Sequence, residues 1–141
     1  MGFIFTNCPD ICPLTTNNLQ SIQKRLKKDN VKNVEVAALS FDPDRDTPGV
    51  LKEYAEVRNI NLSNFQFLTG KKEVVDSLIS AMNVKAYSGD TTYTKNGKPV
   101  YFYVHTDRIS LIDQQGNVRK DYRGSRANID EVVEDVKSLG D

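Results

Sequence analysis

Residues 3–13 read Phe3-Ile4-Phe5-Thr6-Asn7-Cys8-Pro9-Asp10-Ile11-Cys12-Pro13, a short apolar run that leads through a turn into a helix-like segment. Cys8 and Cys12 are the only cysteines among the 141 residues. Two thiols this close, where a strand feeds a helix, can close a disulfide, hold a soft metal ion or exchange electrons with the thiols of a partner. This stretch therefore indicates both the fold and the place of the chemistry.

The helix after this turn is expected to run to about Asp29, because apolar residues recur at helical spacing from Leu19 onward. Pro13 suits its first helical position, which puts Cys12 at or near the N-cap. Backbone N–H groups without partners and the helix dipole favour an anion there, so the Cys12 thiolate should be stabilised.

The rest of the chain alternates strand and helix patterns and then changes to hairpins. The predicted strands cover about 34–41 and 65–70, the helices about 48–59 and 74–82, the hairpins 91–104 and 108–123, and a final helix 127–139. Thr47 is the predicted N-cap of the second helix and Pro48 its first residue. This order predicts a thioredoxin-like α/β domain, with a central mixed sheet flanked by helices and an extra hairpin insertion.

Length and composition indicate one domain over residues 1–141. Nineteen basic and nineteen acidic residues give a net charge of zero, so no global field favours nucleic acid. No stretch approaches the roughly 20 apolar residues of a transmembrane helix, which predicts a soluble domain. Because Met1 is followed almost at once by the first strand, we expect that an upstream segment, with further strands, is absent from this sequence.

His105, the only histidine, ends a strand-like run and is the third candidate for the site. Two thiolates and an imidazole match copper, whose cuprous form favours sulfur ligands. Zinc ranks lower because a closed structural site needs four protein ligands, although Asp10 could add an oxygen. Cys8 and Cys12 could also be a structural disulfide or two buried small residues, and a lone histidine often has no ligand role.

Two further patterns have weaker functional interpretations. The acidic residues of segment 42–46 lack the glycine and distal glutamate of a calcium-binding EF-hand, so we interpret the segment as a structured turn or part of a docking face. A Ser/His/Asp hydrolase is disfavoured, since no nucleophile motif accompanies His105.

Several stretches together resemble the Sco/SenC proteins of cytochrome c oxidase assembly. They are residues 5–13, Ser40-Phe41-Asp42-Pro43-Asp44-Arg45-Asp46-Thr47-Pro48, Phe67-Leu68-Thr69-Gly70 and a late His105. The resemblance covers nearly the whole chain and implies a thioredoxin-like fold that binds Cu(I) or Cu(II) through Cys8, Cys12 and His105. One difference is Val104, where some relatives carry an acidic residue before the histidine.

The resemblance also implies partners and a location. The expected role is a metallochaperone that delivers copper to the CuA centre of oxidase subunit II, or that keeps the cysteines of that site reduced. Other copper chaperones or thiol reductants are further expected partners. Relatives are held by an N-terminal anchor, so the domain is expected outside the cytoplasmic or mitochondrial inner membrane.

Two enzymatic alternatives remain open beside copper transfer. The first is a thiol-disulfide oxidoreductase with Cys8 and Cys12 as a catalytic dithiol and no metal. Thioredoxins usually have two intervening residues and a cis-proline facing the dithiol, whereas this chain has three and a His105-Thr106 pair near that position. This difference favours copper. A peroxidase, as in other proteins of this fold, is a weaker third possibility.

Overall fold

The computed structural model describes residues 1–7, 11–93, 95–97 and 99–140, and for residues 11, 87–92 and 99–105 it describes the backbone. The elements in these ranges are β1 (Gly2–Ile4), α1 (Ile11–Lys28), β2 (Val36–Ser40), α2 (Pro48–Val57), β3 (Phe65–Leu68), α3 (Lys72–Ala81), β4 (Ala86–Tyr93), β5 (Pro99–His105), β6 (Ile109–Ile112), β7 (Val118–Tyr122) and α4 (Ile129–Leu139). A single 3-10 turn, Gly124–Arg126, precedes α4.

The main sheet has five strands in the order β3-β2-β1-β6-β7. β1, β2 and β3 are parallel, with Phe3 opposite Leu39 and Ala38 opposite Phe67. β6 and β7 continue the sheet antiparallel. The mixed sheet of the sequence prediction is therefore confirmed. Because β1 and β2 are parallel neighbours, the turns that follow them lie side by side at the carboxyl edge of the sheet.

The second sheet is a two-stranded ribbon of β4 and β5, with Ala86 opposite His105 and Tyr93 opposite Pro99. The predicted hairpin is confirmed, but β4 begins at Ala86 rather than near 91. The pairing shifts between Ser88 and Thr91, where β4 contains one residue more than β5. Such a bulge accommodates turn-type residues inside a strand, and the alternation pattern of the sequence could not reveal it.

Three helices are followed, two residues after their last residue, by an asparagine with positive φ, namely Asn30 (57°), Asn59 (53°) and Asn83 (56°). In each case the residue after the asparagine donates its N–H to a carbonyl five residues back, as in the bond from Ile60 N to Ala55 O at 3.1 Å. This geometry satisfies carbonyls that the helix end leaves open. It explains why α2 ends at Val57, two residues before the predicted end at 59.

Helix starts follow the capping side chains. Thr47 accepts a hydrogen bond from Val50 N at 3.3 Å and Pro48 is the first residue of α2, as predicted. α4 starts two residues later than predicted, because Asn128 is its N-cap and accepts from Glu131 N at 3.3 Å. The residues before Asn128 form the 3-10 turn instead of helix.

Helix α1 lies between α2 and α4. Arg25 of α1 forms an ion pair with Asp130 of α4 at 2.7 Å, and Asp29, the residue after α1, forms one with Lys137 of α4 at 2.9 Å. Towards α2, the hydroxyls of Thr16 and Tyr54 are 3.0 Å apart in the interior. These contacts fix the helix that carries Cys12. No helix in the described part of the chain is long and apolar enough to span a membrane.

Candidate metal centre

The dithiol turn joins β1 to α1 at the carboxyl end of β1, the central strand of the five-stranded sheet. Cys8, Pro9 and Asp10 lie outside the described residues. Cys12 is the second residue of α1 and its side chain is fully buried within the main hydrophobic cluster. In the first turn of a helix the backbone N–H groups lack intrahelical partners and favour negative charge. Because its side chain is fully buried, the Cys12 thiol is shielded from solvent. Such a thiol suits a metal ligand on the protein side of a site, or the resolving thiol of a dithiol pair.

The start of α1 differs from the sequence prediction. The helix begins at Ile11, so Pro13 is its third residue rather than its first, and Cys12 is its second residue, which is near the N-cap as predicted. Proline is tolerated here because the first four N–H groups of a helix have no intrahelical acceptor, so its missing N–H costs nothing.

His105 is the last residue of β5, and its backbone lies opposite Ala86. The sequence predicted that His105 ends a strand. The position is fixed by the next residue, since Thr106 N donates to Lys85 O at 2.8 Å and Lys85 N donates to Thr106 Oγ1 at 3.0 Å. The structure describes the backbone of His105 and not its side chain. The structure therefore defines where the imidazole is attached.

The register of β6 against β1 shows where the chain goes after His105. Ile109 pairs with Gly2, and Ser110 N donates to Met1 O at 2.8 Å. In an antiparallel pair, residues before Ile109 run towards the carboxyl end of β1. β6 therefore starts beside the first residue of β1, and residues 106–108 between His105 and β6 belong to neither sheet. The chain thus enters the main sheet beside β1 four residues after His105.

Asp46 is a residue that sequence reasoning grouped with a charged turn and that the structure buries. Its carboxylate accepts hydrogen bonds from Thr6 N (3.0 Å), Thr6 Oγ1 (2.5 Å) and Ser40 Oγ (2.6 Å), and 1% of the residue is exposed. Thr6 begins the dithiol turn and Ser40 ends β2. Asp46 therefore ties the dithiol turn to the neighbouring turn of the sheet. The acidic character of the segment was the only signal in the sequence.

The rest of segment 42–46 is a structured turn, as predicted. Arg45 N and Asp46 N both donate to Asp42 O, at 3.1 and 2.9 Å, and Arg45 Nε lies 3.7 Å from Asp42 Oδ2. Among the residues with described side chains, no three His, Cys, Asp or Glu groups are arranged to hold a metal ion. Two of the three predicted ligands, Cys8 and His105, fall outside that set.

A second acidic residue anchors the chain just after His105. The Asp107 carboxylate accepts hydrogen bonds from Ser125 N at 2.8 Å and Ser125 Oγ at 2.5 Å. Asn18 Nδ2 of α1 donates to Gly124 O at 2.8 Å. The 3-10 turn therefore connects the segment after β5 to α1. Sequence reasoning missed this connection, because nothing in the local pattern of residues 123–126 indicates a long-range contact.

The mixed sheet, the strand-to-helix dithiol turn and the added ribbon define a thioredoxin-like α/β protein with a candidate dithiol and imidazole site. The SCO1/SenC family profile matches residues 1–141. The chain belongs to this family.

Individual relatives agree with this assignment. The chain is 34% identical over 137 residues to the SCO1 protein homolog of Bacillus subtilis, covering 96% of this chain and 67% of that protein. It is 32% identical over 120 residues to the SCO2-like protein RP587 of Rickettsia prowazekii, covering 85% of this chain. It spans only 55% of that Rickettsia relative, which is about half of the longer protein.

Solved structures match over nearly the whole chain. A SCO1/SenC family lipoprotein from Bacillus anthracis has a TM-score of 0.81 at 30% identity, covering 99% of this chain and 79% of that one. Copper-bound ScoI of Bradyrhizobium japonicum has a TM-score of 0.77 at 28% identity, covering 98% and 82%. BsSco, described with a disulfide switch and as a member of the Sco family of cytochrome c oxidase assembly proteins, has a TM-score of 0.76 at 30% identity, covering 99% and 77%.

Proposed function

We propose that residues 1–141 act as one domain that binds copper through Cys8, Cys12 and His105 and transfers it during cytochrome c oxidase assembly. The acceptor in this proposal is the CuA centre of oxidase subunit II. The observation that supports it most is the 3-10 turn, which bonds to Asp107, two residues after His105, and to Asn18 of α1, the helix that carries Cys12. Membership of a family with copper-bound relatives gives the metal its identity.

The donor set fits copper on chemical grounds. Two thiolates and one imidazole combine the soft ligands that Cu(I) favours with the nitrogen ligand that Cu(II) also accepts. Three protein ligands fall short of the four that a closed structural zinc site requires. A site with few ligands suits a cargo ion, because the acceptor's own ligands can add to the metal before the donor's ligands leave.

The three ligands differ in role because they differ in setting. Cys12 is buried in the first turn of α1, and Cys8 belongs to the turn that Asp46 anchors through Thr6. His105 comes from the end of the ribbon, a different part of the fold. Imidazole ligation therefore depends on the separation of two segments, whereas the two sulfurs are four positions apart in one stretch of sequence. Metal geometry is set jointly by the turn and the ribbon.

Thiol-disulfide exchange is the second candidate function, with the shielded Cys12 as the resolving thiol. In this reaction the Cys8 thiolate attacks a partner disulfide and releases one partner thiolate. The Cys12 thiolate then attacks the mixed disulfide and releases the other. The partner gains the two electrons that the Cys8 and Cys12 pair loses, and an external dithiol restores the reduced pair. A disulfide switch has been identified in the relative BsSco, which is consistent with this chemistry.

The site of action in this proposal is the outer side of the cytoplasmic membrane, or the corresponding side of the mitochondrial inner membrane. The support comes from relatives, which include a lipoprotein of Bacillus anthracis. A membrane-held relative can present such a domain to an oxidase subunit embedded in the same membrane.

A transfer assay distinguishes the two functions. The copper-loaded protein is mixed with the metal-free CuA domain of subunit II, and the formation of the CuA absorption spectrum is followed over time. We expect transfer by the wild type, strong loss in His105→Ala and loss in Cys8→Ser. Lys95→Ala, in the exposed turn of the same ribbon, serves as the control and should behave as wild type.

The same mixture, with an oxidised CuA domain and no copper, measures disulfide reduction. Reduction that is lost in Cys8→Ser but retained in His105→Ala would identify the dithiol reaction. Transfer that proceeds equally well in His105→Ala would contradict the three-ligand proposal.

A further inference from the structure

We infer that Gly124 is a positioning residue for the copper site, because its missing side chain sets the separation between the His105 segment and the helix that carries Cys12. The inference rests on the proposed function. Gly124 belongs to the 3-10 turn before α4, is buried, and touches neither cysteine nor histidine by any described contact.

The space around Gly124 has no room for a methyl group. A Cβ built at this residue would lie 2.9 Å from Asp107 Oδ1, 2.9 Å from Thr15 Oγ1 and 3.1 Å from Thr15 Cγ2. The two neighbours approach from opposite parts of the fold, Asp107 from the segment after β5 and Thr15 from α1. Glycine is thus the spacer between these two segments.

Neither neighbour can move aside easily. The side chain of Asp107 is 13% exposed, and its carboxylate is held by both the N–H and the hydroxyl of Ser125 and lies 3.5 Å from Arg123 Nε. Thr15 is β-branched, 1% exposed and inside a helix, so its side chain has few alternative rotamers. An added methyl group must therefore shift backbone rather than rotate a side chain.

The two neighbours are close in sequence to the predicted ligands. Thr15 is three residues after Cys12 on the same helix, and Asp107 is two residues after His105. A shift between Thr15 and Asp107 is therefore passed to the two backbone positions that hold the ligands. Metal sites tolerate errors of only about 0.2 Å in ligand distance, and a contact near 2.9 Å must lengthen by more than that.

The effect should be selective for imidazole ligation. Cys8 and Cys12 are four positions apart in the sequence, so their relation to each other depends less on the spacer than that of His105 does. His105 reaches the site from the other segment, and its bond to the metal is the one that the spacer controls. Gly124→Ala should therefore resemble a partial loss of His105 and leave the chemistry of the dithiol intact.

The test compares Gly124→Ala with Gly70→Ala. A Cβ at Gly70 meets nothing within 4 Å, and Gly70 does not have the positive φ that would strain alanine. Both reduced proteins are titrated with Cu(II) under anaerobic conditions, and affinity, thiolate-to-copper absorption and electron paramagnetic resonance are recorded. We expect Gly124→Ala to bind about 10- to 100-fold more weakly, the range found for residues that orient metal ligands, with spectra shifted towards those of His105→Ala.

Disulfide reduction by the metal-free proteins is measured as well, because a general loss of structure would lower it. It should be unchanged in Gly124→Ala. If the alanine variant does not fold, Ser125→Ala replaces it, because this change removes one donor to Asp107 and adds no atom. Ser138→Ala is its matched control, since Ser138 donates only within α4.

The outcomes separate the inference from the proposed function. Wild-type affinity and spectra in Gly124→Ala, or in Ser125→Ala where that variant replaces it, would overturn the positioning role while the copper site stands. Absence of copper binding in the wild type would overturn the proposed function, and the inference with it. Weakened, His105-like binding with intact disulfide reduction supports both.

Discussion

Asp46 is an acidic residue that lies buried beside the dithiol turn. A carboxylate transferred from water to the interior needs hydrogen bonds to offset the lost hydration. Asp46 has three such bonds, two from Thr6 and one from Ser40. Each hydrogen bond to a charged group contributes about 1.5–3 kcal/mol, and removing the acceptor leaves buried donors unsatisfied. The start of the dithiol turn therefore depends on one side chain.

The change Asp46→Ala should lower the free energy of unfolding by about 1–3 kcal/mol, the cost of leaving buried donors without a partner. Asp44→Ala, in the same turn but exposed, should change it by no more than about 0.5 kcal/mol. Urea denaturation followed by circular dichroism measures both. Equal stabilities for the two variants would show that the Asp46 hydrogen bonds do not hold the turn.

At the scale of elements, β7 is joined to α4 by a network of charged and polar side chains. Lys120 Nζ lies 2.6 Å from Glu131 Oε1 and 2.8 Å from Asp135 Oδ2, and Tyr122 OH donates to Asp135 Oδ2 at 2.7 Å. The hydrogen bond from Lys120, followed by that from Tyr122, lowers the pKa of Asp135 below its ordinary value of 3.8. Burial raises the pKa of Tyr122 well above its usual range, so the phenol remains a donor.

This network predicts an acid-sensitive contact between β7 and α4. Because the folded-state pKa of Asp135 is lower than the unfolded one, its stabilisation is complete above the ordinary value and is lost as the pH falls through the folded-state pKa. Asp135→Asn should therefore reduce the loss of stability between about pH 5 and about pH 2. Urea unfolding across this range measures the slope.

Asp76→Asn is the control, since Asp76 forms an exposed pair with Lys72 within one helix. It should leave the acid slope close to that of the wild type. A slope in Asp135→Asn as steep as the wild type would mean that the network does not stabilise the folded state.

The boundaries of the helices and strands also show which parts of the fold can be predicted from local sequence. Thr47 and Pro48 set the start of α2 by capping, a local effect, and that start was predicted correctly. The bulge in β4 depends on pairing with β5, so the strand was predicted too short. The early start of α1 at Ile11 was also missed, since proline is compatible with several positions of a first helical turn.

At the scale of the whole molecule, the candidate site combines a local and a long-range part. The dithiol was evident from the sequence because its two thiols are close along the chain. The involvement of His105 was predicted from family resemblance, and its role as a copper ligand remains a prediction. The 3-10 turn gives the physical support, since it contacts both Asp107, two residues after His105, and α1, which carries Cys12. Contacts through Gly124 and Asp46 needed the structure, because they join residues far apart in sequence.

The central claim is that Cys8, Cys12 and His105 together bind one copper ion. Anaerobic titration of the reduced protein with copper, followed by absorption and electron paramagnetic resonance, tests it most directly when the wild type is compared with His105→Ala and Lys95→Ala. We predict one copper per chain with a thiolate-to-copper band in the wild type and Lys95→Ala. In His105→Ala the spectrum should change and the affinity should fall by more than about 10-fold, since even residues that only orient a ligand contribute that much. Identical spectra and affinities in all three proteins would contradict the claim.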